Sequence, residues 1–175
     1  MSTHKFVVAA GLCLFSLVVA AQDSPGLGES VSAEEIATVD FTVLPNGDGL
    51  PAGSGTAASG AMVYQQYCLA CHGEKGTGGV NDTLAGGHGS MASDRPQKTV
   101  GSFWPYATTI FDYVRRAMPL STPGVLTNDQ LYAVTAYLLY INDVIGENDE
   151  ISAKTLPDVG MPNRDNFVWG YSSPD

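Results

Sequence analysis

The sequence predicts an all-α domain with irregular extensions at both ends, and three features of the chain lead to this fold class. Apolar residues recur at helical spacing in three segments, residues 56–73, 104–118 and 129–142. Glycines crowd the stretch between the first two segments, which therefore cannot be one long helix. Proline and glycine also punctuate both ends of the chain. One domain with tails is the expected organisation for 175 residues.

Residues 1–21 have the form of a secretory signal. Lys5 precedes an apolar run over residues 6–21, and the small residues at its end would allow cleavage after Ala20 or Ala21. The run is shorter than the roughly 20 residues that a spanning helix needs, which makes an uncleaved membrane anchor the weaker interpretation. A lipoprotein site is also disfavoured, because the residue before Cys13 is a bulky leucine. We therefore expect a periplasmic protein with no membrane span after cleavage.

The N-terminal extension, residues 22–55, is expected to lie over the surface of the domain. Ser32 and Glu35 have the spacing of a capping box, which predicts a short helix beginning there. Residues 39–45 alternate in a strand-like way but are too few to form a sheet alone. The extension has four apolar side chains to bury, namely Ile36, Phe41, Val43 and Leu44.

The domain itself is predicted to span residues 56–147, with three helices. The first leads into the sequence Cys68-Leu-Ala-Cys71-His72, and the glycines that follow suggest a backbone passing close to a bound group. The second helix has Pro105 near its first turn. One face of this helix carries Phe111, Val114 and Met118.

The third helix is predicted to begin at a cap from Thr127 or Asn128 and to end near Gly146. Its apolar stripe consists of Leu131, Val134, Leu138 and Ile141. Residues 148–175 are polar and proline-rich, which indicates a tail rather than a second domain. The tail's aromatic residues, Phe167, Trp169 and Tyr171, are expected either to grip a partner or to lie on their own domain.

The Cys-x-x-Cys-His motif at residues 68–72 indicates covalent haem attachment. Removal of the signal takes Cys13 with it and leaves Cys68 and Cys71 as the cysteines of the mature chain. A structural zinc site normally needs four ligands, and His72 directly beside Cys71 suits a shared tetrahedral site poorly. A reactive dithiol would need a thioredoxin-like strand and helix pattern around it, and the sequence lacks this pattern. The motif is the attachment signature of haem c, with two thioethers and the histidine as the proximal iron ligand.

A second axial ligand has to come from elsewhere in the chain. Met118 is our prediction, because it follows the motif at a distance and Pro119 ends its helix, exposing a loop that can point the sulfur at iron. A methionine ligand makes an electron carrier, whereas an open site binds gases or peroxide. The other candidates are Met62, His88, Met91 and Met161. Met62 precedes the motif on a helix, and His88 and Met91 follow it closely.

The formal net charge of −10 becomes one unit more negative when the signal, with its single lysine, is removed. Such acidity serves solubility, or it steers the protein toward a basic redox partner. It argues against a nucleic-acid partner, which would need a basic patch.

The order of these motifs resembles the class I cytochrome c fold. The residues that carry the resemblance are "CLACH", the glycine-rich loop, "RRAMP" and "AVTAYLL". In that family a glycine and an aromatic residue of the first helix pack against an aromatic residue of the last, and Gly60, Tyr64 and Tyr137 fit these positions.

A narrower resemblance covers most of the mature chain. The stretches "GLPAGSGTA", "KTVGSFWPYATTIFDYVRRAMP" and "VGMPNRDNF" are similar to the monohaem cytochrome subunit of periplasmic sulfite dehydrogenases and to the cytochrome domain of sulfane dehydrogenase. The resemblance implies a molybdenum-cofactor catalytic subunit as the partner, and His72 and Met118 as the axial pair of the haem iron. The single haem motif favours the sulfite dehydrogenase type.

Three functions are therefore open. The first is a haem subunit, not itself an enzyme, that takes electrons from sulfite oxidation and passes them to a downstream cytochrome or oxidase. The second is a free-standing carrier that serves several partners, and the third is a haem enzyme or gas sensor with an open iron site. Residues suited to haem propionates or to partner docking are Arg95, Trp104, Tyr106, Arg115 and Arg116.

Overall fold

Residues 26–168, the part of the chain that the computed structural model describes, contain five α-helices, one two-stranded sheet and four short 3-10 helices. The α-helices are α1 Ala33–Val39, α2 Ala57–Tyr67, α3 Leu69–His72, α4 Ala107–Ala117 and α5 Asn128–Tyr140, and the strands are β1 Ser54–Thr56 and β2 Glu150–Ser152. The all-α fold class is thus confirmed, with one small sheet added. The predicted signal and the aromatic residues Trp169 and Tyr171 lie outside the described residues. No helix within residues 26–168 is long and apolar enough to cross a membrane.

The chain forms two compact units, one ending at Val39 and the other beginning at Asp40. In the first unit, α1 has the predicted capping box. The Glu35 backbone N–H donates to Ser32 Oγ at 3.2 Å, and the Ser32 N–H donates to the Glu35 carboxylate at 2.8 Å. These bonds satisfy two of the N–H groups that a helix start leaves without partners. The bond from the Ser32 N–H stabilises the charged carboxylate and so lowers the pKa of Glu35.

Helix α2 is the first α-helix of the second unit, and a capping box fixes where it begins. The Ser59 N–H donates to Thr56 Oγ1 at 3.3 Å, and the Thr56 N–H donates to Ser59 Oγ at 3.1 Å. The helix ends at Cys68, whose N–H donates to the Tyr64 carbonyl at 2.8 Å. The predicted helix leading into the cysteine motif is confirmed.

Helix α2 packs across α5 at Gly60, where the two backbones nearly touch. A Cβ atom at Gly60 would overlap the Ala133 carbonyl oxygen and lie 2.5 Å from the Ala133 carbonyl carbon. One turn further along, the rings of Tyr64 and Tyr137 pack with their centroids 5.0 Å apart. The helix crossing that the glycine and aromatic pattern predicted is therefore present.

Helix α4 packs on α5 through Phe111, whose ring centroid lies 4.6 Å from that of Tyr132, and both side chains are fully buried. Val114 is buried one turn later on the same face. Tyr106 is the N-cap residue of α4 and makes no side-chain cap bond, so Pro105 lies just before the cap, near the first turn as predicted.

Helix α5 begins as predicted and ends earlier than predicted. Thr127 is its N-cap, because the Gln130 N–H donates to Thr127 Oγ1 at 3.3 Å. Its last residue is Tyr140, and the chain then turns through Asp143, which has a left-handed φ of 57°. Gly146 is therefore not the end of the helix, and its N–H instead donates to the Asp149 carboxylate at 2.7 Å.

Residues 40–53 and 141–168, which flank the long helices, belong to the second unit. Residues 39–45 form no strand, and of the four apolar residues expected to be covered Val43 is buried, whereas Ile36, Phe41 and Leu44 are exposed. The sheet forms instead between β1 and β2, which pair antiparallel with Gly55 opposite Ile151. Beyond β2, Leu156 and Met161 are buried in the core.

Candidate haem site

The cysteine motif forms one helical turn that places its three chemical groups together. Helix α3 follows α2 directly, and Cys68 is the residue at which the two helices meet. The N–H groups of Cys71 and His72 both donate to the Cys68 carbonyl, at 3.1 and 2.9 Å. Residues three and four positions apart on a helix share one face. The two thiols and the imidazole therefore project from the same side of this turn.

A hydrogen bond from the loop fixes the imidazole of His72. Its Nδ1 lies 2.8 Å from the backbone carbonyl oxygen of Asp82. Because a carbonyl oxygen only accepts, the ring proton is on Nδ1, and the lone pair of Nε2 is free for a metal. Metal-ligating histidines in proteins are commonly oriented by a hydrogen bond of this kind.

Cys68 does not have the character of a reactive thiol. Burial, and to a smaller extent a charge on Cys71, raises the pKa of the Cys68 thiol to about 11. Reactive dithiols instead have a lowered pKa. Both thiols are free, and within residues 26–168 no three His, Cys, Asp or Glu side chains come together as a metal site. The donors at this turn fit a haem, which takes two neutral thiols and one imidazole nitrogen.

Two glycines let the loop after the motif fold back on it. Gly73 has a φ of 75°, and a Cβ there would lie 2.5 Å from the Gly79 nitrogen. A Cβ at Gly79 would lie 2.5 Å from the His72 carbonyl carbon. The Leu84 N–H donates to the Gly76 carbonyl at 2.8 Å, which closes the fold. These close approaches are to the motif's own backbone, and they hold the loop against His72.

Met118, the predicted second axial ligand, is the C-cap of α4, where its N–H donates to the Val114 carbonyl at 3.1 Å. Its side chain is partly buried and packs at the edge of the core, as does that of Cys68. The other candidates lie in different surroundings. Met161 is buried within the core and Met62 is 69% exposed, whereas His88 and Met91 line a separate cavity of about 610 Å³.

The aromatic and basic candidates for propionate contact or partner docking have different surroundings in the structure. Arg116 pairs with the Asp112 carboxylate, through Nη2 at 2.5 Å and Nε at 3.1 Å. Arg115 donates to the Phe41 carbonyl at 3.2 Å and lies over its ring. Both arginines thus bind groups of their own chain. The remaining candidates have other surroundings, with Trp104 edge-on to Tyr113, Tyr106 beneath Arg164, and Arg95 exposed.

Two residues near the motif, Asp82 and Asn142, were not predicted from the sequence to have a role there. Asp82 acts through its backbone carbonyl, which every residue type possesses. Asn142 is buried at the end of α5 and hydrogen-bonds the loop at Leu84 and Gly86. Its position four residues after Leu138, in line with the buried stripe, was the available hint.

Comparison with known proteins places this geometry in a family. The cytochrome c family model matches residues 57–142, which include the motif and all three long helices. A chain in the crystal structure of the sulfane dehydrogenase SoxCD from Paracoccus pantotrophus is similar to this one, with 40% sequence identity and a TM-score of 0.77. The match covers 83% of this chain and 72% of that chain. No curated protein gave a significant match.

Proposed function

Because the chain belongs to the cytochrome c family, we propose that it carries single electrons on one haem c. Cys68 and Cys71 would hold the haem as thioethers, and His72 and Met118 would bind its iron. The observation that carries this proposal is the helical turn of the motif, in which the two thiols share one face with an imidazole whose Nδ1 is already bound to a carbonyl.

Each of these residues has a separate task. The haem supplies the one-electron iron couple. Cys68 and Cys71 fix its position on the turn, and the hydrogen bond to Asp82 keeps Nε2 of His72 pointing away from the loop. Met118 provides a neutral thioether, which favours ferrous iron and raises the reduction potential relative to a second imidazole.

The proposed electron donor is a molybdenum-cofactor dehydrogenase subunit that oxidises sulfite. Oxidation of sulfite to sulfate with water releases two electrons and two protons, so the cytochrome would accept the electrons one at a time and pass them to a downstream cytochrome or oxidase. The 40% identity to a chain of a sulfane dehydrogenase supports a sulfur-oxidising partner of this kind. The single haem motif favours sulfite over sulfane as the substrate, and the signal-like residues 1–21 support a periplasmic location.

A free-standing carrier is the second candidate, and one observation favours it. The C-terminal tail buries Ile151, Leu156 and Met161 in its own domain, and β2 pairs with β1. Because these three side chains are buried in their own domain, they are not available to contact a partner. The net charge of −10 suits electrostatic docking to a basic partner in either case.

The partner is tested by gentle affinity purification of the tagged chain from its native host, followed by addition of sulfite or of a sulfane-sulfur compound under a spectrometer. Co-purification of a molybdenum-containing chain and reduction of the haem by sulfite support the subunit function. If only the sulfane compound reduces the haem, the partner oxidises sulfane sulfur and sulfite is not its substrate. A chain that arrives alone and stays oxidised with both compounds is a free-standing carrier.

The ligand is tested with Met118→Ala. We expect the reduced variant to bind carbon monoxide and its potential to fall, because the iron loses its thioether. Met62→Ala is the matched control, since Met62 is 69% exposed and its removal should change neither property. A Met118→Ala variant with unchanged spectrum and potential would show that another group binds the iron.

A further inference from the structure

Asn142, the residue after the C-cap of α5, is 1% exposed, and both ends of its side-chain amide are hydrogen-bonded. Its Nδ2 donates to the Leu138 carbonyl at 2.8 Å and to the Leu84 carbonyl at 3.1 Å. Its Oδ1 accepts from the Gly86 N–H at 3.1 Å. A buried amide with three bonds to backbone groups holds two segments in one register. Here the two segments are the end of α5 and residues 84–86.

Residues 81–86 are the part of the loop that orients the motif. At its start the Asn81 N–H donates to the Cys71 carbonyl at 2.9 Å, and the Asp82 carbonyl accepts from Nδ1 of His72 at 2.8 Å. Two residues later the chain reaches Leu84 and the amide of Asn142. Only one residue, Thr83, lies between the carbonyl that binds His72 and the anchor.

A second anchor holds the same residues through Thr99 and Val100. Thr99 Oγ1 donates to the Gly86 carbonyl at 2.5 Å, and the Val100 N–H donates to the Leu84 carbonyl at 3.2 Å. The packing around the anchor is close, because a Cβ at Gly101 would lie 2.5 Å from Asn142 Oδ1. Residues 84–86 therefore have little freedom to move while both anchors are in place.

We propose that Asn142 is a positioning residue for His72. By fixing residues 84–86 it fixes the Asp82 carbonyl, and so it sets the strength of the hydrogen bond at Nδ1. A firm acceptor at Nδ1 makes Nε2 a stronger electron donor, which favours ferric iron and lowers the reduction potential. This inference rests on the proposed function, in which His72 binds the haem iron.

The test is Asn142→Ala in the full haem-loaded chain, with two measurements. The first is the exchange rate of the His72 Nδ1 proton by NMR, and the second is the reduction potential. We expect exchange to be faster, because the proton on Nδ1 is held less firmly once the outer-shell support of His72 is lost. The redox equilibrium is expected to shift toward ferrous iron, up to about tenfold, which is about 59 mV for one electron.

Thr108→Val is the control. Thr108 is also a buried polar residue, and its Oγ1 donates to the Pro45 carbonyl at 3.3 Å, but the segment it holds contains neither His72 nor Asp82 and neither anchor of residues 84–86. We expect this variant to lose stability with its potential and Nδ1 exchange unchanged. Equal shifts in both variants would show that Asn142 acts only by general loosening, which would overturn the inference.

The outcomes also separate this inference from the proposed function. A wild-type chain that takes up no haem contradicts the proposed function, whereas a haem-loaded Asn142→Ala with unchanged potential and Nδ1 exchange contradicts the inference alone. If Asn142→Ala does not fold, Thr99→Val replaces it, because this change removes the other side-chain bond to the same loop. A shift of the same sign but smaller size is then expected, and no shift would overturn the inference.

Discussion

Replacing Gly60 by alanine tests how closely α2 and α5 must approach. The added Cβ would overlap the Ala133 carbonyl oxygen and lie 2.5 Å from the carbonyl carbon and 2.8 Å from Tyr137 Cβ. Ordinary carbon contacts are near 3.5 Å, so the helices would have to separate by about 1 Å. Two of the three nearest atoms are backbone atoms of α5, which cannot rotate out of the way as a side chain could.

Two effects of opposite sign decide the magnitude. Alanine in place of glycine within a helix contributes about 1 kcal/mol through helix propensity. Overpacking typically costs about 1–3 kcal/mol and more where backbones must shift. Because Gly60 faces the backbone of α5, we place the cost at the upper end and expect a net loss of about 2 kcal/mol. For a chain of this size that loss lowers Tm by roughly 4–8 °C.

The assay is urea and thermal unfolding of the haem-loaded chain, followed by far-ultraviolet circular dichroism. Gly160→Ala is the control, because Gly160 has no left-handed φ and a Cβ there would have nothing within 4 Å. We expect this control to stay within about 0.5 kcal/mol of the wild type. If Gly60→Ala were as stable as Gly160→Ala, the helix crossing would have slack and the packing argument would be refuted.

Two further changes test contacts outside the helix crossing. Tyr64→Phe removes the hydrogen bond from the Tyr64 hydroxyl to the Gly73 carbonyl and should cost about 1 kcal/mol near pH 7. Burial raises the pKa of Tyr64 from 10.0 to about 12, so the stability that its hydroxyl contributes is complete below pH 10 and is lost as pH rises through 12. In urea unfolding of the ferrous forms, the difference in unfolding free energy between wild type and variant should therefore disappear as pH rises through 12. A difference that stays constant with pH would contradict this. Asp112→Ala removes the acceptor of the Val43 N–H and the partner of Arg116, so we expect about 1–2 kcal/mol lower stability and faster proteolysis beside Val43. Asp112→Asn keeps an acceptor oxygen and should lose about half as much, and equal cleavage rates in all three proteins would show that this contact does not hold the segment.

The helices were predictable where their signals are local. Ser32 with Glu35, and Thr127 with Gln130, lie within one turn of each other, and the structure has both capping boxes. The end of α5 was mispredicted, because a glycine is the usual residue there and the chain uses Asp143 at a left-handed φ instead. A short side chain that can bond its own backbone tolerates this conformation, so the signal was present but weaker.

The flanking segments were less predictable, because their contacts are distant in sequence. A three-residue strand has no period to detect, and the pairing of Gly55 with Ile151 joins residues almost a hundred positions apart. The burial of Val43 depends on the Asp112 carboxylate, which accepts its N–H at 3.0 Å from α4. Phe41 and Leu44 have the same apolar character but are exposed, so hydrophobicity could not tell which residue would be covered.

The site shows the same division between local and distant contributions. Cys68, Cys71 and His72 lie within five consecutive positions, so the motif alone was enough to propose them as haem-binding residues. The groups that orient His72 are a backbone carbonyl at Asp82 and, further out, a buried amide at Asn142, and neither belongs to a motif. It follows that changing the side chain of Asp82 would leave the acceptor for Nδ1 in place. The orientation of His72 is therefore sensitive to a residue 70 positions away in the chain and insensitive to the identity of the residue that contacts it.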